Sequence, residues 1–144
     1  MAVFYKGDPG MANINLSIVT ADDTLFEGEA RQLIVRTTEG DVGLMKGHIP
    51  YVAALGIGPL TVILPDGERR EAAVAHGIVQ ADRDSVTVLA HSCEWADEID
   101  LNRAERAKER AEETLQSASG RIEMDQAEVK LKRALVRLQI GGRQ

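Results

Sequence analysis

A single cysteine, Cys93, in a chain of 144 residues excludes an intrachain disulfide, and no second thiol stands at metal-ligand spacing. A reducing compartment fits this usage. Long apolar runs are also missing. The stretch from Tyr51 to Leu64 is interrupted by Gly56, Gly58 and Pro59, well short of the roughly 20 continuous apolar residues that a membrane-spanning helix needs. The expectation is a soluble chain. The first ten residues lack an apolar core and are poor in basic residues, which argues against a secretory signal there, and Met11 can serve as an alternative start. Residues 1–12 are therefore expected to form a loose extension. No G-x-x-x-x-G-K-[ST] loop is present, so no phosphate-cradling loop for nucleotide hydrolysis exists. Ser17, Ser85 and Ser92 lack a nucleophile-elbow context. His48, His76 and His91 are scattered without companion carboxylates or thiols, and Cys93 and His91 lack an orienting third group. Neither metal chemistry nor catalysis is expected.

What is present falls into two parts of different character. Net charge is −6, unevenly placed: up to Glu98 there are 7 basic and 15 acidic residues, and from Ile99 onward 10 basic and 8 acidic. An acidic body argues against a nucleic-acid surface. From Ile14 to about Ala90 the sequence reads as short strands at Asn15–Ile18, Gln32–Arg36, Leu60–Leu64, Ala72–Ala75 and Val86–Leu89. Turn residues separate them at Glu39-Gly40-Asp41, Lys46-Gly47-His48, Gly56-Ile57-Gly58-Pro59, His76-Gly77 and Asp82-Arg83-Asp84. Asp66-Gly67 is a hairpin signal, because glycine accepts the positive φ of a tight turn. Short strands at this turn frequency, without helices between them, imply a sandwich or barrel.

After Glu98 the period becomes helical. Asp100 caps a helix start, and Ala104, Ala107, Ala111 and Leu115 recur on one face. Ser117-Ala118-Ser119-Gly120 breaks the pattern. Ala127, Leu131, Ala134 and Leu138 then form a second stripe, which Gly141-Gly142 ends. The fold class expected is α+β: an antiparallel β-sandwich over residues 1–98 followed by an antiparallel two-helix hairpin over 99–144. Alanine permits close helix approach but removes little apolar area from water. Two helices of about twenty residues are close to marginal alone, so the hairpin is expected to dock weakly and to detach.

Glu39-Gly40-Asp41-Val42-Gly43-Leu44, then Gly47-His48-Ile49-Pro50, then Leu55 and Gly58, resembles the acidic-glycine loop and Gly-His-x-Pro turn of the epsilon subunits of rotary F-type ATP synthases, bacterial type. Val88-Leu89-Ala90 leading through Glu94-Trp95-Ala96-Asp97-Glu98 to Ile99-Asp100 resembles their sandwich-to-hairpin junction. The likeness runs from Met11 to Ile140, and His76 departs from the paired glycines common at that point. It implies a non-catalytic rotor component of the central stalk, peripheral on the cytoplasmic face of a bacterial cell membrane. Its implied partners are the gamma subunit and the ring of c subunits, with the hairpin able to extend toward the alpha and beta subunits and block ATP hydrolysis. Glu39, Asp41 and His48 match the loops that the family turns toward the c ring.

Ile99-Asp100-Leu101-Asn102-Arg103-Ala104 resembles the I/L-D-x-x-R-A motif with which some bacterial members bind ATP. The same matching gives Glu94, Arg110, Arg133 and Arg137 as further ligand contacts. No cofactor is required, and ATP enters only as a regulatory ligand. Spacing alone puts Arg103 with Arg110, and Arg133 with Arg137, on single helical faces that an antiparallel hairpin can bring together. Guanidinium forks bind phosphate oxygens in bidentate fashion. Two bland readings stand beside these: a solvated face with intrahelical pairs such as Glu109 with Arg106, and, for the whole chain, a free-standing protein-interaction adapter. Lys130, Lys132, Arg133 and Arg137 also make the second helix a basic surface for an acidic partner. Trp95 is expected as a packing anchor where the linker crosses the sandwich.

Overall fold

The computed structural model describes the backbone of residues 2–4 and the full residues 12–142. Eight strands run in the order β1 (Ala2–Phe4), β2 (Ile14–Val19), β3 (Thr24–Ala30), β4 (Gln32–Thr37), β5 (Gly40–Leu44), β6 (Tyr51–Ile63), β7 (Arg69–Ala81) and β8 (Ser85–Trp95). A short 3-10 turn, Ala96–Glu98, leads into helices α1 (Leu101–Ser117) and α2 (Arg121–Gly141). Spatially the sheet is ordered β1-β5-β4-β6-β7-β8-β2-β3. Pairing is antiparallel except for β2 with β8 and β1 with β5, which run parallel. Within the stretch expected to be a loose extension, Ala2–Phe4 thus lies against Val42–Leu44 as an edge strand. Met11 lies outside the described residues.

Alternation builds the core. Ile14, Leu16 and Ile18 of β2 are buried, as are Leu33 and Val35 of β4 and Val86, Val88 and Ala90 of β8. The structure corrects the expected strand boundaries. Gly56-Ile57-Gly58-Pro59 and His76-Gly77 are not loops but lie inside β6 and β7, which each run for 13 residues. At that level the ladders skip one row: Leu55 pairs with Gly77 and Ile57 with Ala75, while Ala75 pairs with Ser92 and Gly77 with Ala90. The inward-facing positions change phase across the row, from Leu55 to Leu60, from Val74 to Val79 and from Ala90 to Trp95. Gly77, at φ 151°, leaves no room for a side chain, because a Cβ there would lie 2.3 Å from the Leu89 carbonyl oxygen. His76 supplies the rest of the twist in the left-handed region, at φ 62°. Pro59 falls where the β4–β6 ladder is interrupted between Val35 and Thr37, so its missing N–H removes no ladder bond there.

Asp66-Gly67 turns the β6–β7 hairpin as expected, with Gly67 at φ 93° and the Asp66 carboxylate accepting from the Glu68 amide at 2.9 Å. Asp100 caps α1, its carboxylate accepting from the Arg103 amide at 3.1 Å. The two helices meet along Ala104, Ala111, Ala127 and Ala134, all of them buried. Among the described residues α2 makes the main packing on the sandwich, on β6 and β7, and α1 packs chiefly on α2. No described helix is long and apolar enough to cross a membrane.

A left-handed non-glycine residue costs about 1–2 kcal/mol, and replacing it by glycine returns part of that as unfolded-chain entropy. His76→Gly is therefore expected to raise the stability of the chain by about 0.5–1 kcal/mol in urea unfolding. Gly77→Ala should lower it by more than that, because its Cβ meets backbone rather than a movable side chain.

Candidate functional site

The hairpin docks by the α2 face that carries Arg133, Val136 and Arg137. These side chains lie over Ile57, Ala73, Ala75 and Ser92, the outward positions of β6, β7 and β8, and leave a gap of only about 10 Å³. Arg137 Nε donates to Glu94 Oε1 at 2.6 Å, joining the last third of α2 to the end of β8. Both side chains stay partly exposed, at 35% and 40%, so water screens the pair. At its far end α2 closes on the junction. Ile140 is fully buried, and a Cβ on Gly141 would come within 2.8 Å of Leu101 Cδ2 and 3.2 Å of Ile99 Cγ2.

Two connected clefts flank this contact. The first, of about 370 Å³, is lined by Glu94, Glu98, Asp100, Arg103, Ala104, Ala107, Arg110 and Arg137. The second, of about 550 Å³, runs between the helices past Arg110, Lys130, Arg133 and Arg137. Arg110 and Arg137 belong to both, so the expected convergence of arginines from the two helices is present. Alanine makes the clefts. With methyl groups at 104, 107, 111 and 127, the helix surfaces recede and leave room for a ligand between long cationic arms.

The expected site residues sort themselves accordingly. Glu94, Asp100, Arg103, Ala104 and Arg110 line the first cleft together with Arg137. Arg133 lines the second, and its Nε is buried without a hydrogen-bond partner. Ile99 is half-buried and packs against the end of α2 rather than lining either cleft. Glu98 and Lys130 were not expected there. Glu98 occupies the junction next to the recognised motif, and Lys130 stands seven residues before Arg137 on the same helical stripe, a spacing that could have marked it.

The loop residues behave differently from one another. Glu39 is exposed in the turn between β4 and β5. Asp41 is engaged by Arg36 Nε at 2.9 Å, and this hydrogen bond holds its carboxyl below the usual carboxylate range. His48 corrects the expectation of an exposed loop side chain. Only 1% of it is accessible, its Nδ1 lies 3.1 Å from the Ile49 carbonyl oxygen, and its Nε2 is buried without a partner. The Gly47 amide, bonded to the Arg83 carbonyl at 2.8 Å, pins this turn inward.

Trp95 is buried as expected. Arg70 stacks 3.9 Å above its ring and Phe26 meets it edge-on, at a centroid distance of 6.5 Å. The tryptophan lines a separate pocket of about 300 Å³ beside Ile140, not the arginine clefts. Burial pushes the neighbouring Cys93 thiol up to about 12, with Glu94 and Glu98 adding to the shift. Among the described residues no cluster of three His, Cys, Asp or Glu side chains is arranged to hold a metal ion.

Comparison with known proteins gives a consistent result. Residues 13–96 match the family model for the ATP synthase delta/epsilon chain beta-sandwich domain, and residues 97–142 match that for its long alpha-helix domain. The ATP synthase epsilon chain of Ruminococcus albus is 47% identical over 134 residues, covering 92% of this chain and 99% of the relative. That of Caldanaerobacter subterraneus subsp. tengcongensis is 40% identical, covering 90% of this chain and 94% of the relative. Among solved structures, a chain in the cryo-EM structure of the Euglena gracilis mitochondrial ATP synthase is similar in fold, with a TM-score of 0.77 at 24% identity, covering 84% of this chain and 76% of that one. A chain in the central stalk and c-ring structure of the Tetrahymena thermophila mitochondrial enzyme gives 0.65 at 10% identity, covering 89% and 96%.

Two outcomes follow from the junction geometry. Cys93 should react with iodoacetamide at pH 8 far more slowly in the folded chain than after denaturation. Its raised pKa also stabilises the fold below the ordinary thiol range, and this contribution should fade as pH climbs toward about 12, a loss that Cys93→Ser removes. Glu94→Gln should weaken α2 docking by about 0.5–1 kcal/mol, read as faster amide exchange in α2 with the exchange of β2 and β8 unchanged.

Proposed function

The chain belongs to the delta/epsilon family of ATP synthase, matching its epsilon chains over nearly its whole length, and from that premise we propose that it is a nucleotide-responsive brake on ATP hydrolysis. As an epsilon-type chain it is a non-catalytic part of the enzyme's central stalk. This membership also removes the ground for a free-standing adapter.

The observation that carries the reading is the docking of the hairpin through one face of one helix, beside a cleft that spans both units. Glu94 belongs to the sandwich, Asp100 to the junction, Arg103 and Arg110 to α1, and Arg137 to α2. A ligand that touches all of them can bind only when the hairpin is folded down. ATP would then add RT ln(1 + [L]/Kd) to that state, about 2.7 kcal/mol at a hundredfold excess over Kd. A contact of Ile57, two alanines, Val136 and a screened ion pair, closed by Ile140 at the junction, is small enough for such a term to decide its position. When ATP falls, the released α2 carries Lys130, Lys132, Arg133 and Arg137 toward acidic surface on the beta subunit and stops hydrolysis.

The remaining contacts follow from exposed surface. Ala54, Ile78 and Leu89 form one cross-strand row, with Val52 two residues before Ala54 on the same face of β6. Val52 is 67% exposed, Leu89 54% and Ile78 49%, an apolar strip suited to the gamma subunit. The turn bearing Glu39 is bonded to the same end of β6, through the Thr38 amide and the Ala54 carbonyl, and offers a polar contact to the c ring on the cytoplasmic face of the membrane.

Truncation after Glu98 in the reassembled enzyme should raise ATP hydrolysis at low ATP, and equal rates for the full and shortened chains overturn the inhibitory role. Calorimetry on the isolated chain should show one ATP bound, with affinity at least about tenfold lower in Arg133→Ala, the loss expected for a charge-assisted phosphate contact.

A further inference from the structure

Two histidines that stand far apart in the sequence meet in the fold. Ala75 pairs with Ser92 and Gly77 with Ala90 in the β7–β8 ladder, so His76 and His91 face each other in the row between. Both are exposed, and the nearest outward pairs on either side are Ala75 with Ser92 and Ile78 with Leu89. The two imidazoles thus stand on the outer face of the sheet, at the border between the surface that α2 covers and the apolar strip. Room remains beside them. Gly56 is the β6 member of the same row, and a Cβ there would meet only the Thr37 carbonyl oxygen, at 4.0 Å. His76 also holds a backbone conformation that a side chain disfavours, at φ 62°, whereas glycine adopts it freely. An exposed imidazole fills no core volume that would justify the strain, and strained non-glycine residues cluster at ligand sites.

We propose that His76 and His91 form a two-imidazole site for a divalent first-row transition metal, Zn2+ or Cu2+ rather than Mg2+ or Ca2+. Facing residues of an antiparallel pair hold their Cβ atoms about 4.5–5.5 Å apart, a span that two imidazoles close on one ion at about 2.0–2.1 Å from each nitrogen. Imidazole nitrogen suits zinc and copper, whereas magnesium and calcium take oxygen ligands. Among the described residues no third His, Cys, Asp or Glu completes the pair, which leaves the other positions of the ion open to water or to a side chain of a bound partner. The remaining soft donors do not compete. His48 is 1% accessible, and Cys93 packs against the core with its thiol held protonated. Charge on this face is mixed. Arg133 and Arg137 lie over the next pair along, with Glu94 engaging Arg137, while the exposed Asp22 and Asp23 follow β2, whose last pair with β8 is Val19 with Leu89. Neither sign dominates, so binding rests on the imidazoles and not on a general attraction for cations.

The test is titration of the full chain, free of any affinity tag, with Zn2+, Cu2+ and Mg2+ in a non-coordinating buffer at neutral pH, followed by calorimetry and, for Zn2+, by the imidazole proton resonances. One Zn2+ should bind per chain, Cu2+ should bind more tightly, and Mg2+ should show no binding. The His76 and His91 resonances should shift together while that of His48 stays in place. His91→Gln should weaken Zn2+ binding at least about tenfold, since even the outer partners of metal ligands carry that much. His76→Gly should weaken it as far while leaving the chain more stable in urea, which separates loss of the ligand from loss of the fold. Zn2+ affinity unchanged in either variant overturns the site by placing the metal elsewhere. Mg2+ bound as tightly as Zn2+ overturns it by reducing the effect to attraction for an acidic chain.

Discussion

The hairpin touches the sandwich through one face of α2, and the partly screened contact of Arg137 with Glu94 is the ion pair that joins them. The proposed regulation depends on how little that contact stabilises. The outward positions beneath it are Ile57, Ala73, Ala75 and Ser92, which offer a smooth surface but little apolar area. α1 adds almost nothing directly, since it rides on α2. A deeper interface would fix the hairpin in one place. A shallower one would leave it without a docked state for a ligand to recognise.

How much of this the sequence revealed depends on where its periodicity stayed in phase. The change from period two to helical spacing after Glu98 was unmistakable, as were the Asp100 cap and the buried alanines. The long strands were not, because β6, β7 and β8 each reverse their inward face at the row of Gly56, His76 and His91. A strand that changes phase in the middle reads as two short strands with a turn between them, and the glycines and proline there reinforce the error. β3 was hidden for another reason. Its Glu27, Gly28 and Glu29 are exposed, so it lacks an apolar run to announce it. The parallel pairing of β2 with β8 is a relation between distant segments that local pattern does not encode.

The site was legible where helical geometry alone decides. Arginines seven and four residues apart were placed on common faces, and the antiparallel hairpin does bring Arg110 to Arg137. What escaped was tertiary. Glu98 enters the cleft only because the 3-10 turn at Ala96–Glu98 redirects the chain into α1. His48 looked like an exposed turn residue, yet the bond from the Gly47 amide to Arg83 folds that turn inward and buries the ring. Turn chemistry tells that the chain reverses, not which side of the turn faces the core.

The alanine stripe links the weakness of the hairpin to the clefts between its helices. Larger side chains at positions 104, 107, 111 and 127 would bury more area and hold the helices to each other more firmly. They would also fill the clefts that Arg103, Arg110, Lys130 and Arg133 now surround. The cations left along those clefts repel one another, which destabilises the closed hairpin in proportion to how well they are placed to receive a polyanion. On the proposed reading, marginal packing and affinity for an anion are therefore one design seen from two sides, since a bound polyanion would supply the charge balance and the filled volume that the helices themselves lack.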